Sequence, residues 1–149
     1  AEDDFRVSSP EAQVMQITEV SSTLSKVLVG VAVIATLIGG TVIMSLMLIA
    51  VSERRREIGI RRAVGATRRD IMVQFLIEAA VVALVGGIVG VLIGVGTTLV
   101  ITTVSDLAPA IMWTAVGGSV LLSVGIGLVF GLQPAWRASN IDPIEALRS

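Results

Sequence analysis

The sequence contains no cysteine and no histidine, which removes disulfides, thiolate metal sites, thiol nucleophiles and imidazole bases together. Without cysteine, nothing in it reports a redox compartment. Lysine occurs once, at Lys26, and no Gly-x-x-x-x-Gly-Lys-Ser/Thr loop surrounds it, so the chain has no recognisable means of cradling nucleotide phosphates. Aromatic residues make up 3% and charged residues 15% of the 149 residues, against 54% hydrophobic, with a mean hydropathy of +0.89. That balance excludes an ordinary soluble domain. The apolar mass is Val, Ile, Leu, Ala and 15 Gly, a composition suited to closely packed helices in lipid. The net charge of −1 conceals a segregation, with acids at the N-terminus and arginines in one block.

Three uncharged runs, residues 27–52, 79–105 and 107–136, are each long enough to cross a bilayer; the first extends roughly 39 Å as a helix. The fold expected is an all-α membrane protein with a long stalk-like first helix, a coupling elbow and a short C-terminal helix. Its parts are a stalk helix over 10–26, spans at 27–52, 71–105 and 111–133, an elbow at 53–70, an outer turn at 106–110 and a tail at 134–149, with Pro134 ending the third span. The elbow carries Arg54, Arg55, Arg56, Arg61, Arg62, Arg68 and Arg69, whereas the turn holding Asp106 and Pro109 carries no basic residue. The positive-inside rule therefore places the elbow and C-terminus in the cytoplasm and the N-terminus outside. Trp113 and Trp136, about 34 Å apart along a helix, suit the two interfacial aromatic belts.

At the N-terminus, Ala1 followed by Glu2, Asp3 and Asp4 is unlike a signal peptide and reads as a fragment or processed product. Phe5, Arg6 and Val7 read as the end of a strand, so residues 1–9 are expected to close an extracytoplasmic domain, a disordered tail being the alternative. Ser9, Pro10 and Glu11 supply an N-cap, an N1 proline and a first-turn acid, starting a helix that continues into the first span. In the elbow, Ile58, Ile60 and Val64 interrupt the charges and Gly65 suits a helix C-cap. Thr67 and Asp70 then form a relative of the capping box opening the next helix. Guanidinium forks around apolar knobs suit docking by a partner protein; anchoring to anionic lipid explains the same residues equally well.

Ser52-Glu53-Arg54-Arg55-Arg56-Glu57-Ile58-Gly59-Ile60-Arg61-Arg62-Ala63-Val64-Gly65-Ala66 closely resembles the signature of MacB/FtsX-like ABC permeases, and the ending from Gln133-Pro134-Ala135-Trp136-Arg137 through Asn140-Ile141-Asp142-Pro143-Ile144-Glu145-Ala146-Leu147-Arg148 resembles theirs. The likeness covers nearly the whole chain. It implies that residues 57–66, with Arg54, Arg55 and Arg56 before them, form the coupling helix that docks on a cytoplasmic ABC ATPase, where ATP and Mg would be bound. It also implies a bacterial plasma (inner) membrane location, a second permease subunit (homodimer or heterodimer), and a missing first helix carried in the same or a separate chain. Membrane lipid is a further partner; nucleic acid is not. The function implied is that of a non-enzymatic permease in an ATP-driven exporter or mechanotransmission complex. The alternative is a regulator that uses the same motion to control an extracytoplasmic enzyme such as a cell-wall hydrolase.

Three further patterns carry expectations. Gly86, Gly90 and Gly94 share one helix face and read as a packing seam, with Gly117, Gly118, Gly125, Gly127 and Gly131 doing similar work on the third span. Asp70, Gln74 and Glu78 form a polar stripe, in which Glu78 is expected to pair with an arginine of the block or with Arg137, snorkelling to the interface being the alternative. In the tail, Asp142, Pro143 and Glu145 read as the cap of a terminal helix whose Ile144 and Leu147 form, with Glu145, a secondary contact for the ATPase or a cover for the elbow.

Overall fold

The computed structural model describes residues 10–105 and 112–148; for residues 10–13, 105, 145, 147 and 148 it describes the backbone alone. The strand end expected at Phe5–Val7 and the outer turn at 106–110 lie outside the described residues. Five helices follow one another: α1 (Pro10–Glu53), α2 (Arg55–Ala63), α3 (Arg68–Ser105), α4 (Trp113–Ser139) and α5 (Pro143–Arg148). Of these, α1, α3 and α4 are long and apolar enough to span a membrane. The described residues fall into two units, one ending at Ile38 and the other running over 39–149. In the first, the apolar side chains of Val14, Ile17, Leu24, Val27 and Leu28 are all exposed. Such a surface suits lipid or a partner helix rather than water.

Within the second unit, α3 and α4 lie antiparallel along two rows of small residues. Ala79, Ala83 and Gly87 on α3 oppose Gly131, Gly127 and Ser123 on α4, so the rows run in opposite directions at four-residue spacing. A Cβ added at Gly131 would stand 2.5 Å from Ala79 Cβ, and one at Gly127 would collide with Ala83 Cβ. The Ser123 hydroxyl donates to the Ala83 carbonyl at 2.8 Å, tying the helices through a side chain that finds no water in lipid. Among the described residues nothing lies within 4 Å of a Cβ built at Gly86, Gly90 or Gly94, so the seam between α3 and α4 follows the row Ala79, Ala83 and Gly87 instead. Alanine offers nearly the same close approach as glycine, and the partner helix selects the row containing Ala79 and Ala83.

The third span also differs from expectation at its end. α4 does not stop before Pro134 but passes through it to Ser139. Proline removes one backbone donor and crowds the preceding turn. Here it is fully buried, with Ala135 and Ala138 buried beside it in the core. Packing of those small residues holds the turn helical. The core thickens at this end, where Met47 and Val51 of α1, Ile58 of α2, Ile71 and Phe75 of α3, and Ile141 and Ala146 join Ala135 and Ala138 in one cluster.

Candidate functional site

The elbow is a folded element whose stops and starts are written in local chemistry. α1 and α2 are separated by Arg54 alone. α2 ends in a Schellman motif: the Gly65 N–H donates to the Arg62 carbonyl at 3.1 Å, and the Ala66 N–H to the Arg61 carbonyl at 3.0 Å. Gly65 has φ +111°, a left-handed conformation that side chains with a Cβ adopt only under strain. Thr67 and Asp70 complete a reciprocal box at the start of α3. The Thr67 N–H and hydroxyl donate to Asp70 Oδ2 at 2.9 and 2.6 Å, and the Asp70 N–H donates back to the Thr67 hydroxyl at 3.2 Å. Those side-chain and backbone hydrogen bonds from Thr67 hold the Asp70 carboxyl, in the elbow ahead of the apolar run of α3, below its ordinary value.

One face of α2 is turned inward and the other outward. Ile58 and Gly59 are buried, and a Cβ at Gly59 would lie 2.5 Å from Ala146 Cβ, so α5 crosses α2 at near backbone contact. Asp142 caps α5 by accepting from the Ile144 N–H at 2.9 Å. The outward face presents Arg56, Ile60 and Val64 at four-residue spacing, with Ile60 46% and Val64 84% exposed. Ala63 is exposed beside them, and Ile144 on α5 is 78% exposed. The side chains of Glu145 and Leu147 lie outside the description.

The arginines, equivalent in the sequence, divide by what they touch. Arg61 donates to Gln74 Oε1 at 2.7 Å and also pairs with Glu57 one turn back. Arg62 donates to the Ser139 and Ile141 carbonyls, at the C-terminal end of α4, where a cation also meets the negative end of the helix dipole. Arg68 donates to Asn140 Oδ1 at 2.7 Å. Of the two kinds of partner expected for Glu78, the one in place is the block arginine Arg54, at 3.6 Å. Arg137 instead lines an open cavity with Arg55. The polar stripe thus serves three separate contacts: Asp70 in the cap, Gln74 on Arg61, Glu78 on Arg54. Arg55, Arg56, Arg69 and Arg137 have no hydrogen-bond or ion-pair partner among the described residues.

Sequence reasoning missed Asn140 and Ala146 as the elements that fasten the tail to the elbow. Neither carries a signal of its own, since each acts through a residue far away in the chain. Among the described residues no group of three or more acidic side chains is placed to hold a metal ion.

Three helices long and apolar enough to span a membrane, with a braced, arginine-rich elbow between the first two, point to an integral membrane protein. The FtsX-like permease C-terminal family model matches residues 29–143, and the chain belongs to that family. It is 43% identical to the ABC transporter permease YknZ of Bacillus subtilis over 99% of its own length and 37% of that protein. It is 45% identical to the macrolide export ATP-binding/permease protein MacB of Bdellovibrio bacteriovorus, covering 98% of this chain and 22% of the relative. With the pyoverdine export ATP-binding/permease protein PvdT of Pseudomonas putida it shares 40% identity over 98% of this chain and 22% of the other. The chain thus spans between about a fifth and two fifths of these relatives. These relatives are named as an ABC transporter permease and as export ATP-binding/permease proteins.

Proposed function

We propose that the outward face of α2 is the surface on which a cytoplasmic ATP-hydrolysing partner docks, and that the chain converts ATP-driven motion of that partner into movement of the transporter's outer parts. The supporting observation is the division of labour on α2. Glu57, Ile58, Gly59, Arg61 and Arg62 are spent on bracing the elbow, while Arg56, Ile60 and Val64 are exposed, and Arg56 has no hydrogen-bond or ion-pair partner among the described residues. Two apolar knobs beside a free guanidinium suit a pocket bordered by carboxylates, with the bracing transmitting displacement to the ends of α1, α3 and α4. Hydrolysis is assigned to the partner, where ATP and Mg would bind, and the elbow and C-terminus to the cytoplasmic side by the positive-inside rule. Export is favoured over control of an outer enzyme because MacB and PvdT are named for export.

Because the chain has no cysteine, Val64→Cys supplies a unique thiol within it for a maleimide-linked photo-crosslinker. In the intact transporter the label should capture the ATP-hydrolysing unit, and Arg56→Glu with Ile60→Asp should abolish capture and transport-linked ATPase activity while the permease still inserts. Capture of no ATPase, together with unchanged activity in the double variant, would overturn the assignment.

A further inference from the structure

Arg55 and Arg137 come from different helices, α2 and the last turn of α4, yet both line one cavity of about 420 Å³ beside the elbow. Its other polar side chains are already engaged. The Ser52 hydroxyl donates to the Ile49 carbonyl. Asn140 accepts from Arg68 and donates to the Trp136 carbonyl. Asp142 is spent on capping α5. The two guanidiniums are therefore the polar groups of this cavity left without a partner among the described residues, and the lining carries two positive charges against one committed carboxylate. An anion is the ligand that this arrangement fits, and paired arginines favour a phosphate, which accepts from both forks.

The remaining lining shows which phosphate. Leu48 and Val51 belong to the last turns of the uncharged run of α1, and Ser52 is its final residue. Next in the chain to the lining residues Leu48 and Arg137 are Ile49, 54% exposed, and Trp136, 62% exposed. The lining thus runs from the apolar end of the α1 run to charge, and exposed apolar side chains adjoin its residues in the chain. A soluble anion has no use for that surface; an amphiphile does. We infer that Arg55 and Arg137 grip the phosphodiester of an anionic phospholipid whose acyl chains run along the exposed faces of α1 and α4. This assignment requires only that the helices span a bilayer and is independent of the ATPase surface, which lies on Arg56, Ile60 and Val64.

The test is native mass spectrometry of the intact permease, delipidated and then titrated with phosphatidylglycerol or phosphatidylcholine. The wild type should retain one phosphatidylglycerol per chain in preference to phosphatidylcholine. Arg55→Gln and Arg137→Gln should each weaken retention roughly fivefold, and the pair about thirtyfold. Arg69→Gln, which also removes an unpartnered elbow arginine but not one lining this cavity, should leave it unchanged. Equal retention of both lipids by the wild type would overturn the proposal without any variant, as would undiminished retention by the double variant. Binding of inorganic phosphate to the delipidated wild type, lost in the double variant, with no retention of phosphatidylglycerol would reassign the cavity to a soluble anion and likewise refute the lipid site.

Discussion

Gly59→Ala should open the elbow, and the size of the effect follows from the crossing of α2 and α5. The added methyl would lie 2.5 Å from Ala146 Cβ, and 3.7 Å from both Ala146 Cα and the Pro143 carbonyl oxygen. Carbon atoms rest at about 3.5–4.0 Å, so α5 must retreat by roughly 1.0–1.5 Å. Ala146 Cβ is bonded directly to the backbone and cannot rotate away. Overpacking of this kind costs about 1–3 kcal/mol, which multiplies the open population of the tail by about 5–150. Ile141→Cys provides the reporter, since Ile141 is 7% exposed in the core and the chain has no other thiol. Where closing outpaces modification, the maleimide labelling rate of this background tracks the open population. Gly59→Ala should raise that rate by the stated factor. Ala146→Gly alone, which loses a buried methyl and about 1 kcal/mol of helix propensity, about 2 kcal/mol together, should raise it roughly thirtyfold. Combined, the two should label more slowly than Gly59→Ala alone, because the second change removes the atom struck by the first. Background labelling by Gly59→Ala, or faster labelling by the double variant than by Gly59→Ala, would refute the reasoning.

Arg62→Gln should destabilise the permease by about 1.5–3 kcal/mol, because it strips charged donors from two carbonyls at the end of α4, whereas Arg56→Gln should change the denaturation midpoint little and weaken partner capture instead. Gly131→Ala should cost about 1–3 kcal/mol in the same unfolding experiment, and Gly90→Ala should be neutral or stabilising by up to about 1 kcal/mol, since of the two only the first meets a neighbour among the described residues. Thr67→Ala should cost about 1 kcal/mol through loss of the α3 cap. The same cap sets a pH dependence. Asp70 is held below its ordinary value of 3.8, so its contribution is fully present above that pH and is lost as the pH falls through the depressed folded value. The midpoint difference between wild type and Asp70→Asn should therefore be constant at neutral pH and shrink only below about pH 4.

The spans, the elbow and its caps were readable from sequence because each depends on residues close together in the chain. An uncharged run has a length, Gly65 after α2 has a conformational reason, and Thr67 and Asp70 satisfy each other within one turn. Pro134 misled the same local logic. The penalty of a helical proline is local, whereas what offsets it is burial beside Ala135 and Ala138 in a core assembled from all five helices. On α4 the expected Gly127 and Gly131 do pack in the seam, but the choice of row on α3 was unreadable for a related reason. Rows 79/83/87 and 86/90/94 both offer small residues at four-residue spacing, and only the placement of Ser123, Gly127 and Gly131 on the opposite helix chooses between them.

The arginine block carries this furthest. Charge count and spacing treat Arg55, Arg56, Arg61 and Arg62 alike, yet their surroundings assign them to a cavity, an outward face, a carboxamide with a carboxylate, and the end of a helix. A charge reversal at Arg61 and Arg62 would therefore lose partner binding through collapse of the elbow, whatever the partner touches. Substitution at Arg56, Ile60 and Val64 leaves the bracing intact and confines any loss of coupling to the surface itself. Comparing the two sets by Ile141→Cys labelling separates them: the Arg61 and Arg62 reversal should accelerate labelling, and the outward-face set should not. Acceleration by the outward-face set would mean that those three residues hold the elbow together, and the docking surface would have to be sought elsewhere.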